Sequence, residues 1–185
     1  MWFLMIMKGH IIAIDNVFYM APKWTNISTI YASESNMNDR QIRKIPSTVT
    51  KLDISETNVT GKNFKYLPKK LLQLNLSDTN ISDKCVLNLP RGITDLNLCS
   101  TIISDEALLY LPPNLKKLCI ASTIITGYTF YTLPNTLHTL YISDTDVSDD
   151  SLRYLPRNVK YIYMSDTSIT SAGIAHLPSD IEIFR

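Results

Sequence analysis

The chain has 185 residues, of which 45% are hydrophobic, and its 18 basic residues nearly balance 17 acidic ones, for a net charge of +1. This near-neutral charge excludes a bulk attraction to nucleic acid or to an anionic membrane surface. The count of 3 cysteines is odd and low, so it does not indicate a disulfide framework and fits a reducing compartment.

The first 22 residues differ from the rest of the chain and open with an apolar run. The run from Met1 to Met7 ends at Lys8, far short of the roughly 20 residues that span a bilayer. No basic segment precedes it and no small-residue cleavage site follows, so the pattern does not indicate a signal peptide. We expect residues 1–22 to form an apolar cap on the domain that follows.

From Lys23 to Arg185 the sequence repeats with a period of 22 residues. We number repeats 1 to 7 from residues 23, 45, 67, 89, 111, 133 and 155, and a partial repeat starts at 177. Most open with Leu-Pro, such as Leu67-Pro68 at positions 1 and 2; repeat 2 opens with Ile45-Pro46 and repeat 1 is degenerate. Such a period predicts stacked units that share one core, because no single unit can bury its apolar face alone.

Each repeat predicts a short strand. Positions 5, 8 and 10 are apolar, as Leu71, Leu74 and Leu76 show in repeat 3. The alternation at positions 8 and 10 is typical of a strand with one buried face. Because every repeat follows the same path, successive strands are predicted to be parallel.

The second half of each repeat predicts a turn and a short helix. Position 13 is Ser or Thr throughout, where backbone groups leaving the sheet need hydrogen-bond partners. Position 16 is Asn, Ser or Thr, which predicts a helix N-cap, and position 17 is often Asp, which the positive helix end favours. About six residues remain before the next Leu-Pro, so one or two turns of α- or 3₁₀-helix are expected, with position 20 facing the core.

The segment Leu71-x-x-Leu74-x-Leu76-x-x-Thr79 resembles the LxxLxLxxN signature of the leucine-rich repeat family, with Thr where Asn is usual. This resemblance implies an α/β solenoid, with a curved parallel β-sheet on the concave face and short α- or 3₁₀-helices on the convex face. The Leu-Pro opening is similar to the short repeats of bacterial effector proteins. The Asn-, Ile- and Tyr-rich composition is similar to leucine-rich repeat proteins of large DNA viruses such as poxviruses, which implies a host protein as target and the host cytoplasm as location.

The resemblance also implies a function, namely a non-catalytic module that binds a protein partner on its concave face. Positions 7 and 9 project from that face, and tyrosines gather at its C-terminal end, where tyrosine is a favoured interface anchor. The predicted partner-binding residues are Tyr31, Lys51, Asp53, Gln73, Asn75, Asp95, Asn97, Lys117, Cys119, Thr139, Tyr141, Tyr161 and Tyr163.

Residues with catalytic or metal-binding potential are scattered. His10, His138 and His176 fall at unrelated positions, and Cys99 and Cys119 supply only two thiols on neighbouring predicted strands. The glycines form no phosphate-binding loop. We therefore expect no enzymatic activity, no cofactor, and neither a nucleic acid nor a membrane as partner.

Two other hypotheses remain open at this point. The segment Ile181–Arg185 begins a further strand whose edge is unpaired, so the chain is either a shortened form of a longer solenoid or pairs there with a partner or a second copy. The alternative function is a structural or assembly protein that self-associates through this edge strand or through the apolar N-terminal segment. Sequons at Asn26, Asn58, Asn75 and Asn80 would suit an extracellular receptor, but a repeat rich in Ser, Thr and Asn produces them by composition.

Overall fold

The computed structural model describes residues 5–7, 10–12 and 27–185. These residues form one ten-stranded sheet whose strands lie side by side in chain order. The first two strands are antiparallel, and every later pair of neighbours is parallel. The strands are β1 Met5–Met7, β2 His10–Ile12, β3 Thr29–Tyr31, β4 Lys51–Asp53, β5 Gln73–Asn75, β6 Asp95–Asn97, β7 Lys117–Cys119, β8 Thr139–Tyr141, β9 Tyr161–Tyr163 and β10 Glu182–Phe184.

The cap expected at residues 1–22 lies mostly outside the described residues. Its two described segments, β1 and β2, belong to the same sheet as the repeats, and β2 pairs in parallel with β3. The boundary at residue 22 stays a prediction.

Short helices carry the chain back from the end of one strand to the start of the next. They confirm the expected return of one or two turns, since both α- and 3₁₀-helices of three or four residues occur. The helices are α1 Asp39–Ile42, α2 Asp83–Val86, α3 Asp105–Leu108, α4 Asp149–Leu152 and α5 Ser171–Ile174, with 3₁₀-helices at Phe64–Tyr66 and Phe130–Thr132.

The hydrophobic core runs the length of the solenoid between the sheet and the helices. The predicted inward positions are buried: in repeat 3, Leu71, Leu74 and Leu76 are 0–2% exposed. Position 20 packs onto them from the helices, with Phe64 and Phe130 among the largest fully buried side chains. The predicted parallel α/β solenoid is confirmed.

The hydrogen-bond ladder continues beyond the three-residue strands. Strand partners in the repeats differ by one period, as in Leu52↔Leu74. Past the end of β5, Leu76 N–H donates to Asn97 O at 2.9 Å and Asp78 N–H donates to Cys99 O at 3.0 Å. Each repeat is therefore tied to the next by backbone bonds as well as by the core.

The hydroxyl at position 13 has the predicted role in the turn. Thr101 Oγ1 donates to Leu98 O at 2.7 Å, and the other full repeats repeat this bond to the carbonyl three residues earlier. The bond stays within one repeat. Thr therefore satisfies a buried carbonyl here without linking neighbouring repeats.

Position 12 adopts a backbone conformation that the sequence did not predict. Every full repeat has a positive φ there, between 53° and 56°, and none of the residues is glycine. The left-handed region costs energy for a residue with a Cβ atom. The residues are Glu34, Glu56, Asp78, Ser100, Ser122, Asp144 and Asp166.

The predicted N-cap column is confirmed only in part. Asn38, Ser104 and Thr170 accept a hydrogen bond from a helical N–H, whereas Ser82 and Ser148 make no such bond. Thr60 and Thr126 precede Gly61 and Gly127 and do not begin α-helices. Ser82 and Ser148 both follow a repeat with glycine at position 17, Gly61 and Gly127, so no aspartate of the preceding repeat orients their hydroxyl groups.

The aspartates at position 17 bind the next repeat. Asp83 accepts from Ser104 N–H at 2.7 Å and from Ser104 Oγ at 2.9 Å. The same two-point bond joins Asp149 to Thr170. Asp39 and Asp105 bind Thr60 and Thr126 in the same way. This column therefore fastens the convex side of the solenoid.

Two repeats depart from this pattern in the same way, 66 residues apart. Gly61 and Gly127 occupy position 17 with φ of +83° and +81°. A Cβ at Gly61 would lie 2.6 Å from Cys85 Cβ, and one at Gly127 would lie 2.6 Å from Ser151 Cβ. Glycine is required there because the next repeat packs against the bare backbone. Glycine at position 17 thus recurs after three repeats, in addition to the basic period of one repeat.

Candidate protein-binding site

The concave face forms one groove across strands β3 to β8. Its volume is about 420 Å³, and the buried Leu52, Leu74 and Leu96 form its floor. The predicted residues at positions 7 and 9 project around it, as the strand alternation requires. Those that line the groove are Tyr31, Lys51, Asp53, Gln73, Asn75, Asp95, Asn97, Lys117, Cys119 and Tyr141. Thr139, Tyr161 and Tyr163 lie on the face outside this lining.

Two lysines in the groove are held over tyrosine rings. Lys51 Nζ lies 5.3 Å from the centroid of the Tyr31 ring, and Lys117 Nζ lies 5.0 Å from that of Tyr141. Both are cation–π contacts between neighbouring strands. The lysines therefore mark the two ends of the groove, each beside an aromatic ring.

The two carboxylates of the groove are held by hydroxyl groups. Asp53 Oδ1 accepts from Ser55 N–H at 3.1 Å and Ser55 Oγ at 2.7 Å, while Asp95 accepts from Thr94 Oγ1 at 2.7 Å. Within residues 27–185 the ion pairs are Arg153–Asp150 and Lys160–Asp180, so neither groove carboxylate has a cationic partner. Charges of both signs thus face the groove without neutralising one another.

Asn75 and Asn97 present amide donors between these charges. Asn75 Oδ1 accepts from Ser77 N–H at 3.2 Å, and Asn97 Oδ1 accepts from Cys99 N–H at 3.0 Å. Each oxygen is thereby fixed against its own turn. The amide N–H groups remain to donate to a ligand in the groove.

Aromatic rings stack in a column at the C-terminal end of the concave face. The Tyr141 and Tyr163 rings are 4.2 Å apart between centroids and tilted by 7°, and Tyr163 and Phe184 are 4.4 Å apart and tilted by 9°. Desolvation raises the pKa of Tyr163, and the neighbouring Tyr141 adds to this effect. Its hydroxyl therefore stays protonated at neutral pH and can donate a hydrogen bond.

Phe184 is a surface residue that the repeat pattern missed. A strict period places it at position 8, which is buried, but the partial repeat has one residue fewer before its strand, so Phe184 pairs with Tyr163 at position 9. It is 40% exposed. The shift could have been found by matching the apolar residue Ile183 to Ile162 at the inward position 8, since this match requires a one-residue deletion.

Tyr161 stands apart from this aromatic column, at position 7. Its ring lies 5.3 Å from that of His138 at a tilt of 45°. The three predicted tyrosines therefore lie on adjacent strands, as expected, but only Tyr141 and Tyr163 stack on each other.

Cys119 lines the groove beside Cys99. Burial raises the pKa of the Cys119 thiol to about 11, with the nearby Cys99 also contributing in that direction. Such a thiol remains protonated and is a poor nucleophile. In the described part of the chain, no three His, Cys, Asp or Glu side chains are grouped so that they could hold a metal ion, and no helix is long and apolar enough to cross a membrane.

The comparisons with known proteins rest on structure alone. No protein-family model and no curated protein sequence matches the chain. An internalin C2 from Listeria monocytogenes is similar over 95% of this chain and 79% of its own, with a TM-score of 0.72 and 20% identity. A second internalin from Listeria monocytogenes, InlF, matches over 86% of this chain with a TM-score of 0.67 and 16% identity, and this chain spans 54% of its length.

A further solved structure has the same kind of repeats. CroV588, described as a circular leucine-rich repeat protein, matches over 75% of this chain and 21% of its own, with a TM-score of 0.58 and 22% identity. At these identities the likeness concerns the fold. With its parallel sheet, its short helices and these neighbours, the chain has the leucine-rich repeat fold.

Proposed function

We propose that the chain is a non-catalytic interaction module that binds a protein partner on its concave face. The observation that carries this proposal is the groove itself, in which Lys51, Asp53, Asp95 and Lys117 face a shared space without forming ion pairs with one another. A surface with uncompensated charges of both signs is suited to select a partner of complementary pattern.

The extent of the face favours a protein over a small molecule. The groove crosses six strands, which at the strand spacing of about 4.8 Å corresponds to roughly 24 Å. The column of Tyr141, Tyr163 and Phe184 continues the face beyond it. Aromatic anchors beside polar groups are typical of protein interfaces.

The finer form of the proposal is a pathogen or viral factor that binds a host protein in the host cytoplasm. It is supported by the resemblance of the repeats and composition described above. The free state of Cys85, Cys99 and Cys119 fits a reducing compartment. The module would mask or bridge its target, because its groove offers contacts rather than an activated nucleophile.

The proposal is tested by affinity capture with a variant of the concave face. We expect Tyr141→Ala/Tyr161→Ala/Tyr163→Ala to lose at least about tenfold in partner binding, because anchoring aromatics contribute most of the binding energy. The matched control is Tyr66→Ala/Tyr154→Ala, which removes exposed tyrosines outside the concave strands. Circular dichroism would confirm that both variants fold, and equal capture by the two variants would reject the concave site.

A further inference from the structure

The outward side chains on the convex side change character halfway along the solenoid. Position 18 is basic in repeats 1 to 3 and acidic or aromatic in repeats 4 to 6, and all six side chains are exposed. In order they are Arg40, Lys62, Lys84, Glu106, Tyr128 and Asp150.

Position 21 forms a second exposed row beside the first. Its middle is apolar, with Leu87 61%, Leu109 47% and Tyr131 62% exposed. Exposed leucines on neighbouring repeats are unusual on a surface that stays in water. In order the row is Arg43, Lys65, Leu87, Leu109, Tyr131 and Arg153.

Each of these two rows complements a second copy of itself that runs in the opposite direction. We propose that the convex face is a homodimer interface, in which two chains pack antiparallel about a two-fold axis between repeats 3 and 4. Such an axis sets repeat 3 against repeat 4 of the partner subunit, repeat 2 against repeat 5 and repeat 1 against repeat 6. A two-fold interface of this kind requires one surface that complements its own rotated copy.

The central pairs join opposite charges and apolar side chains. Lys84 meets Glu106 of the partner subunit, and Leu87 meets Leu109 of the partner subunit. By symmetry each pair occurs twice. An apolar centre with charged pairs beside it is the arrangement common in protein interfaces.

The next pairs outward join cations to aromatic rings and to an acid. Lys62 meets Tyr128 of the partner subunit, and Lys65 meets Tyr131 of the partner subunit. Arg40 meets Asp150 of the partner subunit; this carboxylate also pairs with Arg153 within one chain, so in the dimer it lies between two guanidinium groups. This chain already places cations over tyrosines at four sites among its described residues, so the chemistry matches its own contacts.

One pair in the outer repeats brings two cations together, Arg43 and Arg153 of the partner subunit. Both are engaged within their own chain: Arg153 forms an ion pair with Asp150 at 2.7 Å, and Arg43 lies 4.4 Å from the Tyr66 ring and bonds Asn63. By contrast, Arg40, Lys62 and Lys84 have no ion pair within residues 27–185. The antiparallel arrangement therefore gives a partner to each of the three position-18 cations that have no ion pair within their own chain.

The net charge of residues 27–185 follows the same division. Residues 27–88 contain 9 basic and 6 acidic residues, whereas residues 89–185 contain 7 basic and 10 acidic ones. An antiparallel pair aligns these opposite net charges. Because the contacts are exposed ion pairs around a small apolar centre, the dimer is weak and sensitive to salt. It leaves both concave faces open, so it does not depend on the function proposed above.

Sedimentation velocity of the full chain over a range of concentrations, at low and high salt, tests the interface. We expect a dimer at low salt that dissociates at high salt. Lys84→Glu and Glu106→Lys should each weaken it about tenfold, because each places like charges together. The double variant Lys84→Glu/Glu106→Lys should restore it, since the symmetric pairs are then reversed. Leu87→Asp, in the apolar centre, should abolish it.

The matched control is Lys70→Glu, which makes the same charge change at an exposed residue outside the convex rows. It should leave the dimer unchanged. The interface is rejected if the chain stays monomeric at every concentration at low salt, or if Lys70→Glu weakens the dimer as much as Lys84→Glu. The interface is also rejected if the double variant does not regain the wild-type dimer affinity. A dimer that none of the substitutions weakens would form through another surface, such as β10, and would reject the interface as well.

Discussion

At the scale of single residues, the solenoid depends on backbone conformations that its side chains do not favour. Position 12 holds seven non-glycine residues at positive φ. In the turn after β4, Glu56 N–H donates to Ser77 O at 3.0 Å. That hydrogen bond to the next repeat stabilises the positive φ of Glu56, because another φ would point the N–H away from Ser77 O and break the ladder between the repeats. Strain at this column is therefore offset by stacking.

Glu56 offers a direct measure of this strain. Glu56→Val should lower the free energy of unfolding by about 1–2 kcal/mol, because a β-branched side chain is poorly accommodated at positive φ. Glu56→Gly removes the same charge and needs no Cβ in that region, so it should not destabilise. Urea unfolding of both variants makes the comparison, and an equal loss in both would mean that the carboxylate, not the backbone, matters.

Gly127 shows the opposite case, in which the absence of a side chain is required. Gly127→Ala should destabilise by about 1–3 kcal/mol, because the new Cβ meets Ser151 at a φ unsuited to alanine. Gly92→Ala is the control, since the nearest atoms to its Cβ would be 3.8 Å away. Chemical denaturation should show a change within about 0.5 kcal/mol or a slight gain for the control. Similar losses in both variants would contradict the packing argument.

At the scale of elements, the helix starts serve two repeats at once. Each aspartate at position 17 opens its own helix and binds position 16 of the next repeat, as Asp149 does with Thr170. The helices are too short to be stable alone. Their order therefore comes from the core and from these links between neighbours.

The link between Asp149 and Thr170 predicts a dependence on pH. The hydrogen bonds from Thr170 lower the pKa of Asp149. Folding therefore favours the ionised carboxylate, and this stabilisation is present above about pH 4, the ordinary range of Asp, and disappears as the pH falls through the lowered pKa. Asp149→Asn should lower the urea midpoint at pH 7 and have less effect at about pH 3. A constant difference at both pH values would show that ionisation is not involved.

At the scale of the whole molecule, the repeats behave as interchangeable layers. Strand register, core and aspartate links all recur with the same phase, so most contacts of a repeat are with its two neighbours. The exceptions are local, at Gly61 and Gly127, where the following repeat must fit the glycine.

Removal of one whole repeat tests this modularity. Deletion of residues 89–110 places Asp83 beside Thr126, which replaces the existing link from Asp105. We expect a folded chain whose urea m-value is lower by about one seventh, because the buried area falls with the number of repeats. Deletion of residues 89–99 alone breaks the phase and should prevent cooperative folding. A folded product from this half-repeat deletion would contradict the layer description.

Much of the fold could be predicted from the pattern, because the pattern reports burial. Leu74 and Leu76 identify a strand and its inner face, and the position of Ser82 and Asp83 indicates where the helix begins. The groove residues at positions 7 and 9 follow from the same alternation. Phe184 could not be placed in this way, because a one-residue deletion changes its face without changing its surroundings in the sequence.

The amino-acid sequence by itself determined the repeat, the buried columns and the side chains that reach the concave face. It could do so because apolar residues recur at the buried positions and polar residues at the exposed ones. Only the tertiary structure decided the positive φ at position 12, the double use of the aspartates and the free charges of Asp53 and Asp95. It also placed the exposed rows of positions 18 and 21 side by side, as the Arg153–Asp150 ion pair shows. These features depend on residues one or more repeats apart, and a contact between repeats exists only once the layers have stacked.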